Sequence, residues 1–206
     1  MGAVISSSNR SQAAPKRPQL ALPGLDFSSR LSFGGALLEG RRKDVRFFDP
    51  KRALHLVLRS SQATGVHSLL KHKRKIDEVL DRQAQLHAVK IYSRANAGNH
   101  LHLVVRAPNR RALKNFLRAF SGLVVRLVLG RERGKARSPA NARTVSAASP
   151  FWDARPFSRV VAWGKAFTTL TRYVHQNRLE AVGFTRPEAR DILTVCAELG
   201  LGPPTT

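Results

Sequence analysis

The apolar residues of this chain change period along its length, and the changes mark its elements. ALHLVLRSS (53–61) has the alternating, leucine- and valine-rich look of a strand, ended by Ser-Ser-Gln and the turn residue Gly65. Over HSLLKHKRKIDEVLDRQAQLH (67–87) the spacing becomes helical, with Leu69, Leu70, Ile76, Val79, Leu80 and Leu86 on one side. AVKIYSR and NHLHLVVRA read as two further strands, joined by the turn residues of ANAG. Asn109 suits an N-cap for a second helix. Its apolar face is Leu113, Phe116, Leu117, Phe120, Val124, Leu127 and Val128. PFSRVVAW predicts a fourth strand, and GKAFTTLTRYVHQNRLEAVG a helix closed by Gly183. A last helix starts at Thr185, has Pro187 in its first turn and runs to Gly200. The order β-α-β-β-α-β-α-α, two split βαβ units with two trailing helices, predicts an α+β domain. Its single antiparallel sheet would have helices packed on one face.

Two stretches lack any period. Residues 1–45 are rich in Ser, Gly, Pro and Arg and read as a disordered basic arm, while Gly130–Pro150 reads as a mobile basic loop. The expected organisation is therefore an arm (1–45), a domain (46–183) interrupted by the 130–150 loop, and a C-terminal helix and tail (184–206).

Charge narrows the partners. The 206 residues hold 36 Lys+Arg against 13 Asp+Glu, a formal +23. So strong an imbalance favours polyanions, and nucleic acid first, because each neutralised phosphate releases counterions. Most of the basic residues are arginine, suited to bidentate phosphate contacts. The single cysteine, Cys196, excludes an internal disulfide and a cysteine-built zinc site. No segment approaches the roughly 20 apolar residues that span a bilayer. The expectation is a cytoplasmic, nucleoid-associated protein with no membrane partner.

Candidate chemistry begins with His100 and His102. In a strand, residues two apart point to the same face, so both imidazoles lie side by side as a chelating pair would. Leu101 between them faces the helices, and the histidine face is expected to be open to substrate. Alone, the spacing fits ordinary sheet residues equally well. Tyr173 is one of only two tyrosines, and Asn177 follows it by one helical turn on the same face. A phenol is a weak nucleophile at neutral pH and needs a metal to polarise the phosphate it attacks. A tyrosine and an amide oxygen beside a two-histidine metal site make chemical sense for phosphodiester attack.

Together NHLHLVV, FWDARPFSRVV and YVHQN followed by EAVG resemble the HUH single-tyrosine transposases, specifically the REP-associated tyrosine transposases. The resemblance runs from about Arg46 to Gly183, with the three motifs in the family's order. It departs at Asn177-Arg178, where such relatives commonly carry Asn-Pro, and at Gly98-Asn99, where they often carry Pro. The resemblance implies an RRM-like or ferredoxin-like domain that nicks and rejoins single-stranded hairpin or repeat DNA. Tyr173 would form a 5′-phosphotyrosine intermediate and leave a free 3′-OH. His100, His102 and Asn177 would bind Mg²⁺ or Mn²⁺. Many such enzymes are homodimers whose tyrosine helix serves the partner's metal site, so a homodimer is implied as well.

Several basic residues are candidates for DNA contact. Arg59, Arg94 and Arg106 end or follow strands, and Arg110, Arg111, Lys114 and Arg118 lie largely outside the apolar face of the second helix. Trp152 could stack on a base or pack at the loop exit. His55 could line the metal-site face, and His175 is expected at the surface. Two other functions compete. One is a non-catalytic nucleic-acid-binding protein derived from a decayed or domesticated transposase. The other, an RNA-binding module with an RRM-like sheet, calls for aromatic residues on the exposed sheet face, and NHLHLVV offers histidines there instead. A nucleic-acid partner predicts affinity that falls steeply between 50 and 200 mM salt in a fluorescence-anisotropy titration, by about 10³ or more if six phosphates are contacted. A flat response would remove this class of partner.

Overall fold

The computed structural model describes residues 31–35, 46–130 and 150–202. Eleven short and long elements build one five-stranded antiparallel sheet with four α-helices. The strands are β1 (Ser32–Phe33), β2 (Ala53–Arg59), β3 (Lys90–Asn96), β4 (His100–Arg106) and β5 (Phe157–Val161), in the sheet order β1-β5-β2-β4-β3. The helices are α1 (Lys73–Leu86), α2 (Arg110–Val128), α3 (Lys165–Ala181) and α4 (Arg186–Glu198). The sequence-predicted α+β class and its single antiparallel sheet hold. Strand β1 comes from the segment read as a disordered arm and pairs Phe33 with Ser158. The sheet therefore extends beyond residue 46. The rest of the expected arm, and loop residues 131–149, lie outside the described residues.

Local rules explain most boundaries. The Asn109 side chain accepts from the Ala112 N–H at 2.8 Å, capping α2 as expected. In the β3–β4 hairpin, Gly98 has φ 86°, and its N–H donates to Asn96 Oδ1 at 3.0 Å. Thr185 donates its backbone N–H to Glu188 Oε2 at 2.7 Å, closing a capping box at α4.

The predicted first helix is shorter than its periodicity suggests. Residues Gly65–His67 and Leu69–His72 form two 3₁₀ turns, and the α-helix begins only at Lys73. Tertiary bonds divert the segment: Leu69 donates to the Gly98 carbonyl at 2.8 Å, and Asn96 Nδ2 donates to the Leu69 carbonyl at 2.9 Å. A continuous helix would break both.

The larger departure concerns the layers. Leu101, Leu103 and Val105 of β4 join Leu54, Leu56, Leu58 and Val160 in the main core, together with Ile76 and Leu80 of α1 and Leu113, Phe116 and Phe120 of α2. Val104, with Ala53, Ala95 and Val161, faces the opposite way and packs against Leu170 and Val174 of α3. Helices α1 and α2 thus share one face, as expected, while α3 lies on the other. Helix α4 rests on α3 through Ala189, Leu193 and Leu179. Phe116 is fully buried with its ring 5.7 Å from that of Phe120. Phe116→Ala should cost about 3–5 kcal/mol in urea unfolding, and a loss below 1 kcal/mol would contradict this core.

Candidate functional site

Residues 100, 102 and 104 of β4 share the face that α3 covers, and this decides the environment of the histidines. His102 is only 5% exposed and His55, on neighbouring β2, 7%. The site face is roofed by a helix where an open sheet surface was expected. An imidazole buried among apolar groups must be neutral and must find hydrogen-bond partners. Burial first, and the Arg159 charge second, hold the His55 pKa down at about 3. Burial, then His55 and His100, push His102 well below its ordinary value. His100 is lowered by burial and then by Arg59.

The hydrogen bonds point to particular tautomers. His100 Nδ1 lies 2.6 Å from Asn99 Oδ1. An amide oxygen only accepts, so His100 carries its proton on Nδ1 and leaves Nε2 with a lone pair. His102 Nδ1 and His55 Nε2 are 3.1 Å apart and share one proton donor, with the rings nearly parallel at 5.4 Å. His102 Nε2 is buried and has no partner among the described residues. With the proton on His102 Nδ1, that Nε2 is a free ligand atom; with the proton on His55, it is a stranded donor. The first arrangement costs less, and the two β4 histidines then both present unprotonated Nε2 atoms. Their ring centres are 4.7 Å apart.

Helix α3 brings the tyrosine to this pair. The Tyr173 ring stands perpendicular to that of His102 with centres 5.6 Å apart. Asn177, buried one turn later, donates its Nδ2 to the Tyr173 carbonyl at 2.8 Å, which leaves Oδ1 as the atom it could offer a metal. His100, His102 and Tyr173 thus meet within one chain. Among the described residues no group of three or more His, Cys, Asp or Glu side chains is placed to hold a metal. A metal here would therefore rest on two imidazoles and neutral oxygens. The orphaned His102 Nε2 fits that use, and His55 fits the second-sphere role of fixing a ligand's tautomer.

The expected DNA contacts scatter. Arg59 is paired across the sheet with His100 and lies 3.6 Å from Asp153. Arg94 is engaged by Asp81 at 2.7 Å and Asp77 at 3.6 Å. Arg106 and Arg111 are exposed at the end of β4 and the start of α2. Trp152 is half-buried: its ring packs on the main core and its Nε1 donates to the Ser121 carbonyl at 3.2 Å, the packing role the sequence also allowed. Arg110, Lys114 and Arg118 share a groove of about 560 Å³ with Arg46 and Arg155, floored by Phe48, Leu113 and Leu117. Among the described residues no carboxylate lines it. Arg46 is held down at about 10, by burial and then by Arg155.

Sequence reasoning missed Arg46 and Arg155, since nothing local links positions 109 residues apart. It also misplaced His175, which is half-buried, has a buried Nδ1 without a partner, and is lowered to about 4 by burial and then Arg178. No helix among the described residues is long and apolar enough to cross a membrane.

No protein-family model matches the chain, and no curated protein matches it. Among solved structures, a REP-associated tyrosine transposase bound to a REP hairpin is similar over 79% of this chain and 89% of that one, at 10% identity and a TM-score of 0.49. A likeness that slight decides nothing about the chemistry of this site.

The buried histidines give stability a pH dependence of definite sign. Unfolded histidine titrates near ~6.5, whereas folded His55 stays neutral to about pH 3. As pH falls through this window the unfolded chain binds protons that the folded chain refuses. Stability is therefore full above ~6.5 and is lost as pH drops, by up to about 1.4 kcal/mol per pH unit per histidine. Urea unfolding in chelator between pH 7.5 and 4.5 should show this slope, and it should be shallower in His55→Gln. Equal slopes in the two proteins would contradict the buried, neutral state of His55.

Proposed function

We propose that this protein nicks and rejoins single-stranded DNA in the manner of the HUH single-tyrosine transposases, with Tyr173 as nucleophile. The observation that carries this reading is the buried, unpartnered His102 Nε2 lying beside His100 and under the Tyr173 ring. His100 and His102, with Asn177 Oδ1, would hold a Mg²⁺ or Mn²⁺ ion. The chemistry such an ion would supply is polarisation of the scissile phosphate and neutralisation of charge on its oxygens. Hard cations prefer oxygen donors, so phosphate oxygens of the substrate suit the positions the two imidazoles leave open.

The chain's own residues perform the rest. His55 keeps the His102 ring in one orientation and one tautomer. Asn99 does the same for His100. Helix α3 fixes the tyrosine through Leu170 and Val174, which anchor it to the sheet, so the phenol is positioned without ordering a loop. Tyr173 Oη attacks phosphorus and the bond from phosphorus to the 3′ oxygen breaks. The proton lost by the phenol is balanced by the one that the leaving 3′ oxygen takes up. The downstream strand is left as a 5′-phosphotyrosine, and attack by a 3′-OH on that linkage rejoins DNA. Because His102 and Tyr173 of one chain meet, a second copy is not needed to complete the site, although a homodimer is compatible with it. With DNA as its substrate, the protein would act in the cytoplasm with the nucleoid.

A second reading is a non-catalytic nucleic-acid-binding protein, and the groove of Arg46, Arg110, Lys114, Arg118 and Arg155 favours it. That surface would hold phosphates whether or not Tyr173 reacts. The two readings separate in one assay with Mn²⁺ and 3′-labelled hairpin DNA. The first expects a label that stays with the protein through denaturing electrophoresis. It should vanish in Tyr173→Phe and in the His100→Ala/His102→Ala double variant. An adduct that persists in Tyr173→Phe excludes this nucleophile; binding with no adduct across a varied hairpin set supports the second reading.

A further inference from the structure

We propose that the cavity enclosed by α1, β3 and the C-terminal end of α3 is a phosphate-binding pocket, with Arg178 as its principal ligand. The cavity has a volume of about 70 Å³ and is lined by Lys73, Asp77, Arg94, Asn96 and Arg178, with Leu70 and other apolar side chains. A single water needs only roughly 10–15 Å³ measured this way, so the space holds more than one solvent molecule.

Arg178 supplies the decisive observation. Its Nε and Nη2 are buried and have no hydrogen-bond partner among the described residues. These two nitrogens form the side-on edge of the guanidinium, and turned into the cavity that Arg178 lines this edge is the one an oxyanion bridges with two parallel N–H···O bonds. Buried polar groups nearly always have partners, and a charged one without any calls for a ligand that supplies them. The neighbouring carboxylates do not serve. Asp77 and Asp81 both approach Arg94, at 3.6 and 2.7 Å, and neither is bonded to Nε or Nη2 of Arg178. Around the cavity Lys73, Arg94 and Arg178 exceed Asp77 and Asp81 by one positive charge. Burial, and then the Arg94 charge, lower the Arg178 pKa, as expected of a partly desolvated cation near a like charge. An oxyanion answers both needs.

The chemistry is that of a phosphate group, and two sources can present it: the backbone of a nucleic-acid strand or free inorganic phosphate. The pocket does not depend on the nicking reaction, and only its nucleic-acid source rests on the DNA reading. Arg178 lies one residue after Asn177, so a strand phosphate in the pocket would lie alongside the tyrosine helix and help set which phosphodiester reaches Tyr173.

The test uses the full chain and three proteins: wild type, Arg178→Met, which keeps the apolar stem, and Arg178→Lys, which keeps a point charge without the fork. Thermal unfolding is measured in millimolar inorganic phosphate and in chloride at matched ionic strength. The phosphate-dependent rise in Tm should be largest in wild type, smaller in Arg178→Lys and smallest in Arg178→Met. Single-stranded oligonucleotide affinity is then followed against salt. A slope reduced by about one phosphate contact in Arg178→Met assigns the pocket to the nucleic-acid backbone. An unchanged slope with the Tm rise diminished assigns it to free phosphate, which also supports the site. A Tm rise equal in all three proteins overturns the proposal. If Arg178→Met does not fold, equal rises in wild type and Arg178→Lys overturn it by the same measurement. Neither readout involves the covalent adduct, so failure of the pocket and failure of the Tyr173 chemistry are distinguished.

Discussion

Strand β4 is buried on both faces, and the rest of the molecule is arranged around that constraint. Leu101, Leu103 and Val105 point into the core shared with α1 and α2. His100, His102 and Val104 point the other way, and α3 closes over His102 and Val104 with Leu170, Val174 and Tyr173. A two-sided strand cannot slip by one residue without sending leucines under α3 and imidazoles into the main core. Register is therefore held by solvation on both sides. It also fixes which residues β2 and β5 contribute to each layer, and so places His55 against His102.

Burying histidines on an otherwise apolar face has electrostatic consequences. The imidazoles cannot be charged there at neutral pH, and their nitrogens must be satisfied within the sheet. The His55–His102 contact and the Asn99–His100 contact meet most of that demand. One nitrogen, His102 Nε2, is left over. The same reasoning applies to α3, where half-buried Arg178 places its Nε and Nη2 out of solvent without an acceptor among the described residues. His102 lies on the strand that meets Tyr173, and Arg178 on the helix that carries it. Each is suited to a different component: a lone pair for a metal, a donor edge for a phosphate. Other buried atoms without a partner among the described residues, such as Arg46 Nη1 beside α2, lie elsewhere.

Excess positive charge is distributed unevenly. Aspartates on α1 neutralise Arg94, and Asp153 approaches Arg59. Beside α2, by contrast, five cations share a groove that no acid among the described residues lines. Local acids decide which arginines remain available to a polyanion, and the total charge says nothing about that.

The sequence carried the information that depends on neighbours along the chain. Capping by Asn109, the glycine turn before His100, the apolar stripe of α2 and the shared face of Tyr173 and Asn177 are all local, set by backbone sterics and by periods of two and 3.6. These were legible, as were the α+β class and the pairing of the two β4 histidines. What the chain could not declare was which surface each stripe would meet. The start of α1 depends on bonds from Leu69 to the distant hairpin turn. The edge strand β1 is two residues long and forms only because β5 offers it a partner. The side of the sheet that α3 covers follows from the match of Leu170 and Val174 to Val104 and Val161. The hydrogen bond between His55 and His102 joins residues 47 positions apart. Periodicity says that a face is apolar; only the competition among all such faces for the available sheet decides what buries it, and that competition made the histidine strand a roofed site instead of an open one.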